Sequence, residues 1–139
     1  MPRGTEFIKS IVEKLAKSNT YGKCMNSVKI LSAENGRCKA EFTVSEEHTN
    51  LGGSLHGGYT ATVIDCVSTY ALMTNEKNSP GVSVDMHITY MKAAFPGELV
   101  TVDARTIKAG RTLAFLTVEL TKNDGKEMVA CGQHTKFVA

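Results

Sequence analysis

Net charge is almost absent from this sequence. Sixteen lysines and arginines stand against fourteen acids, leaving +2. That is too little to hold a phosphate backbone, and no arginine-rich block or ladder of aromatics makes up for it, so a nucleic-acid partner is not expected. No Cys-x-x-Cys pair occurs among Cys24, Cys38, Cys66 and Cys131, and the histidines lack paired spacing. A metal is therefore not expected, and the thiols read as free buried groups in a reducing compartment. Long apolar runs are missing too. Nothing reaches membrane-spanning length without polar interruption, and Arg3, Glu6, Lys9, Glu13 and Lys14 break the opening residues. Neither membrane insertion nor a secretory signal is expected, and the reading is cytoplasmic. Gly52-Gly53 and Gly57-Gly58 lack the Gly-Lys-Ser/Thr ending of a phosphate loop. No repeat, low-complexity segment or linker divides the chain, so residues 1–139 read as one domain with 42% apolar and 22% charged residues.

What is present is organised around Leu51 to Asn75. From Tyr59 to Thr74 the residues are mostly small or apolar, with no Pro and no Gly. The spacing predicts a long helix entered at His56-Gly57-Gly58, apolar most of the way round and therefore wrapped by other structure. Asp65 is the single acid in the stretch. Burying a carboxylate costs several kcal/mol unless it is compensated, so Asp65 is a surface acid on a partly exposed turn, a buried acid tied to a structural partner, or functional. The first turn of the same helix presents unpaired N–H groups and a partial positive charge, and Gly57 and Gly58 clear the approach to them. A carbonyl oxygen gaining negative charge would be stabilised there. Gly57 and Asp65 are eight residues apart, about 12 Å along one helix, too far to serve one carbonyl. Acting together, they must come from two antiparallel helices across a two-fold axis.

The remaining elements follow in order. Thr5 to Ser18 reads as an amphipathic helix with Thr5 as N-cap and a stripe of Ile8, Ile11, Val12 and Leu15. Val28 to Leu31 and Arg37 to Val44 read as a hairpin turned by Asn35-Gly36. A polar loop, Ser45 to Asn50, leads to the central helix, and Asn78-Ser79-Pro80-Gly81 turns out of it. Val82 to Tyr90 alternates, with Val82, Val84, Met86, Ile88 and Tyr90 on one face and Ser83, Asp85, His87 and Thr89 on the other. Leu99 to Lys108 and Thr112 to Thr121 flank an Ala109-Gly110 turn, and Asn123-Asp124-Gly125 turns into Lys126 to Phe137. Runs of strands without intervening helices imply an α+β chain: an antiparallel sheet curled around one long central helix, the hotdog arrangement, with the first helix at its rim.

These residues also resemble a known family. His48-Thr49-Asn50, Leu55-His56-Gly57-Gly58, Ala61-Thr62, Asp65, Pro80 to Met86, Ile88 to Met91, Thr112 to Phe115 and His134-Thr135-Lys136 are similar to hotdog-fold acyl-CoA thioesterases of the phenylacetic-acid-degradation type. The resemblance implies hydrolysis of medium- to long-chain acyl-CoA to fatty acid and CoA. It implies no metal and no cofactor, CoA being part of the substrate, and a homotetramer built as a dimer of dimers. By the same resemblance, Gly57 N–H and the Asn50 amide hold the thioester oxygen and His56 steadies that corner. Asp65 of the neighbouring subunit activates water, and Ser83 helps place it. Substrate contacts would come from Ser83, Asp85, Tyr90, Met91, Lys92, Ala93, Ala94 and Phe95, and from Lys108, Ala109, Gly110, Arg111, Thr112, Leu113 and Phe137. Lys92, Lys108 and Arg111 are the candidate charges for the CoA phosphates. Phe95, Phe137 and, beside the pocket strand, His87 depart from the family pattern, which bears on the nucleotide-end contacts and the acyl preference and not on the hydrolytic centre. The resemblance leaves room for a lipid-transfer protein as partner and for association with mitochondria. Two rival readings of the fold are a non-hydrolytic acyl-CoA or fatty-acid binding protein and a hotdog hydratase or dehydratase.

Overall fold

A computed structural model describes residues 4–75 and 79–139. Its elements are α1 (Thr5–Ala16), β1 (Lys29–Glu34), β2 (Arg37–Thr43), α2 (Gly57–Met73), β3 (Val82–Tyr90), β4 (Leu99–Ala109), β5 (Leu113–Lys122) and β6 (Glu127–Phe137). Short 3₁₀ turns cover Tyr21–Ser27 and Glu46–His48. The strands form one antiparallel sheet in the order β1-β2-β4-β5-β6-β3. This is the α+β arrangement expected, with α2 packed on the sheet's inner face. Val63, Ile64, Val67 and Ala71 of α2 are fully buried, with Ala40, Val102, Val118 and Ala130 of the strands in the same core.

Asn35 and Gly36 adopt φ of 53° and 77°, and Glu34 pairs with Arg37. Two positive φ values match the twist of the flanking strands, and the expected hairpin results. Cys38, Ala40, Phe42 and Val44 are all buried, as their alternation implies. Ile8 and Val12 of α1 are buried against the core, with Ile11 and Leu15 partly so. Thr5 does not cap α1. Gly4 occupies the N-cap position, and the Thr5 hydroxyl instead takes the Ala33 N–H at 3.0 Å. It thereby satisfies a backbone donor on the edge strand β1. Asn78 of the expected turn lies outside the described residues.

The alternation expected for β3 is broken. Ser83 pairs with Lys136 but Asp85 pairs with Thr135, so Val84 is an extra residue, a β-bulge. The bulge reverses the facing of the strand. Ser83 turns toward the helix side, where Met86 and Ile88 also pack on the core, and Val82 and Val84 are left exposed. A period of two cannot foresee an inserted residue. β3 is the second edge of the sheet.

Candidate active site

Two separate ends of the molecule carry the candidate residues. At the entry to α2, His56 is the N-cap, and its ring Nδ1 accepts the Gly58 N–H at 2.8 Å. The His56 carbonyl takes the N–H groups of Tyr59 and Thr60. Among the described residues the Gly57 N–H has no partner, so the first turn leaves that donor open. The Gly57 carbonyl accepts from Tyr90 Oη at 2.9 Å. A Cβ on Gly57 would lie 3.3 Å from the Tyr90 ring, and one on Gly58 would lie 3.0 Å from the His56 ring. The space cleared by the two glycines is thus filled by those rings. Asn50 sits on the loop pinned beside this turn by the Thr49–Leu55 bridge and by His56 N–H on the His48 carbonyl at 2.8 Å. Its amide Nδ2 donates to Ser54 Oγ at 3.1 Å, and its Oδ1 accepts the Ser54 N–H at 3.2 Å.

Tyr90, Met91, Lys92, Ala93 and Ala94 line a cleft at this end together with Gly57. Its volume is about 280 Å³, at or below the lower limit for sites that enclose a drug-sized ligand. Lys92 is ion-paired with Glu127, so its charge is already met. The cation beneath this segment is Lys122, which sequence reasoning passed over. Its Nζ donates to the Ala93 carbonyl at 2.8 Å and to Glu98 at 3.1 Å, 5.8 Å from the centre of the Phe95 ring.

The other end is a buried polar network. The backbone carbonyl of Asp65 accepts from Ser68 Oγ at 3.0 Å and Thr69 Oγ1 at 2.8 Å. Lys136 donates to Thr69 Oγ1 at 2.6 Å, and His134 Nδ1 lies 2.9 Å from Ser68 Oγ. His134 Nε2 is 2.7 Å from Ser83 Oγ. Asp65 is half-buried, and among the described residues no hydrogen bond or ion pair reaches its carboxylate. Burial draws the Lys136 ammonium below its ordinary value, against the pull of Asp65 and Cys66. Burial, then Lys136, holds His134 below its ordinary value, with Asp65 and Asp85 opposing. The thiol of Cys66 is pushed up to about 12 by burial and then by Asp65, so it is not a nucleophile at neutral pH.

His134, Lys136, Ser68 and Thr69 were not among the sequence candidates. The signal for the first two was present: β6 alternates, and His134 and Lys136 occupy inward positions continuing Ala130 and Gly132, where apolar residues belong. At this same end lie Lys108 and Ala109, the last residues of β4, and Gly110 to Thr112 in the turn to β5, with Leu113 opposite Phe137 and Phe137 opposite Val82. Lys108 and Arg111 are exposed and, among the described residues, unpaired. Asp85 is exposed beyond the bulge. The structure therefore does not bring the 90–95 and 108–113 groups together within one chain.

The model of the family described as "Thioesterase superfamily" matches residues 52–129. The chain belongs to the thioesterase superfamily. It is 42% identical over 134 residues to human acyl-coenzyme A thioesterase 13, covering 96% of each chain. Among solved structures, zebra fish thioesterase superfamily member 2 is 45% identical, with a TM-score of 0.96 and 99% of each chain covered. A hypothetical thioesterase protein from Streptococcus pneumoniae, solved with coenzyme A, is 25% identical, with a TM-score of 0.77 over 82% of this chain and 87% of that one. The hotdog arrangement of this thioesterase is thus shared with named members of the superfamily. No helix among the described residues is long and apolar enough to cross a membrane.

Proposed function

We propose that the protein hydrolyses medium- to long-chain acyl-CoA thioesters in a site shared between two subunits. The observation that carries this reading is the Gly57 N–H at one end of the molecule and the Asp65 carboxylate at the other, each without a hydrogen-bond partner among the described residues. Ser83 and Tyr90, which mark the two ends, are seven residues apart on β3, about 23 Å of strand. A partner related by a two-fold axis, its β3 antiparallel to this one, sets the Asp65 end of one chain against the Gly57 end of the other. The uncovered edge of β3 supports that pairing. So does the small volume of the cleft in a single chain.

In this reading the Gly57 N–H and one N–H of the Asn50 amide hold the thioester oxygen. Water attacks the carbonyl carbon as its proton passes to Asp65 of the other subunit. The tetrahedral species then collapses, the C–S bond breaks, and the thiolate takes up that proton, leaving fatty acid and free CoA. The exposed cations Lys108 and Arg111 suit the CoA phosphates better than Lys92, which Glu127 neutralises. A dimer of such dimers, association with a lipid-transfer protein and a cytoplasmic or mitochondrial setting remain parts of the proposal.

The deciding assay is thiol release across acyl-CoA chain lengths. Turnover with medium and long chains is the expected result. Binding with no release at any length would make the protein a carrier. Formation of an enoyl product from a 3-hydroxyacyl thioester would make it a hydratase. Site sharing is tested by mixing Asp65→Asn with Asn50→Ala subunits: activity should return on exchange, and its absence despite proven exchange excludes composite sites.

A further inference from the structure

His134 is 1% exposed and bridges two hydroxyls, Ser68 on α2 and Ser83 on β3. The direction of each bond follows from proton counting. Ser68 Oγ lies 3.0 Å from the Asp65 carbonyl oxygen, which can only accept. Two oxygens at that distance with no proton between them repel, so the single hydroxyl proton of Ser68 points to Asp65. Ser68 must then accept from His134, which places the imidazole proton on Nδ1. In a neutral ring Nε2 is left as a bare acceptor. Ser83, 2.7 Å away, must therefore give its own proton to His134. Nothing remains on the Ser83 hydroxyl to donate elsewhere.

We propose that His134 is a positioning residue that turns the Ser83 hydroxyl so that it meets the attacking water only as an acceptor. This rests on the hydrolytic reading above. Water between Ser83 and Asp65 then donates one proton to each, and its lone pair is left facing the thioester carbon. The same imidazole ties the Asp65 turn to Ser83 through Ser68, so both acceptors are held in one frame. Lys136 makes a parallel tie to that turn through Thr69. Burial keeps the ring neutral, the state the arrangement needs; the charged groups that act on it are Lys136, Asp65 and, from the exposed side of the bulge, Asp85.

Two measurements test this. In ¹⁵N-histidine-labelled protein near neutral pH, His134 should show a protonated Nδ1 and an unprotonated Nε2. Ser68→Ala, which removes the acceptor for Nδ1–H, should give a mixture of both tautomers. In kinetics, His134→Leu and Ser83→Ala should each lower kcat for an acyl-CoA about 10- to 100-fold, with KM little changed. His134→Gln, whose amide oxygen can accept from Ser83, should recover most of that loss. The double variant His134→Leu/Ser83→Ala should be no slower than Ser83→Ala alone. Should His134→Leu fail to fold, the tautomer measurement on the native chain and on Ser68→Ala decides alone. A hydrolysing wild type with the proton on Nε2, or losses that multiply in the double variant, would overturn the role given to His134. Absence of thiol release from any acyl-CoA by the wild type would overturn the hydrolytic reading, and this proposal with it.

Discussion

The acid in the central helix is set apart by its surroundings. Its backbone carbonyl receives two side-chain hydroxyls, whereas its carboxylate has no partner among the described residues. The residue is thus held at the main chain and left open at the functional group, the inverse of a buried structural acid. Asp65→Asn should lower kcat by roughly 100- to 10,000-fold, the usual worth of a general base, while circular dichroism and the urea midpoint stay near those of the parent. Next to it, Cys66 is half-buried with its thiol pushed up to about 12, as is that of the buried Cys38. Both should resist a thiol reagent at pH 7.5 in the folded protein and react at once in denaturant; rapid labelling of either in the native state would contradict the assignment.

Among the elements, the pairing of β3 with the entry of α2 decides where the open N–H sits. Tyr90→Phe removes the hydroxyl that holds the Gly57 carbonyl. It should cost about 0.5–1.5 kcal/mol in urea denaturation and lower turnover through the helix entry. The elements themselves were largely legible in the residues. Asn35-Gly36 specifies its turn through local dihedral preference, and the alternation from Cys38 to Val44 specifies its buried face. β3 was legible in extent but not in facing, because its bulge answers to hydrogen bonds made with β6 and not to its own periodicity. The same limit hid the polar network. Ser68 and Thr69 look ordinary within α2 until His134 and Lys136 arrive from a strand more than sixty residues away. Asn50 shows the opposite case: its amide bonds to Ser54 four residues on, a contact made within its own loop.

For the molecule as a whole, the buried histidines set a pH dependence. His134 and His48 are both held below the ordinary value of 6.5, burial being the first cause in each. The unfolded chain therefore takes up protons that the folded chain refuses. Stability should be fully present above about pH 6.5 and fall as the pH drops through that value toward the lower folded ones. Urea midpoints measured from pH 7.5 to pH 5 should decline, and His48→Gln with His134→Gln should flatten the slope. A midpoint that rises on acidification would contradict the neutral assignment.

The separation of Gly57 and Asp65 along one chain has a kinetic consequence. If every turnover needs a donor from one molecule and a base from another, an isolated chain is silent however well it folds. On dilution below the dissociation constant of the pair, the rate per milligram would fade and the progress of hydrolysis would scale with the square of enzyme concentration. Saturating substrate, by bridging the two halves, would draw the pair back together and show itself as a lag that shortens as acyl-CoA is raised.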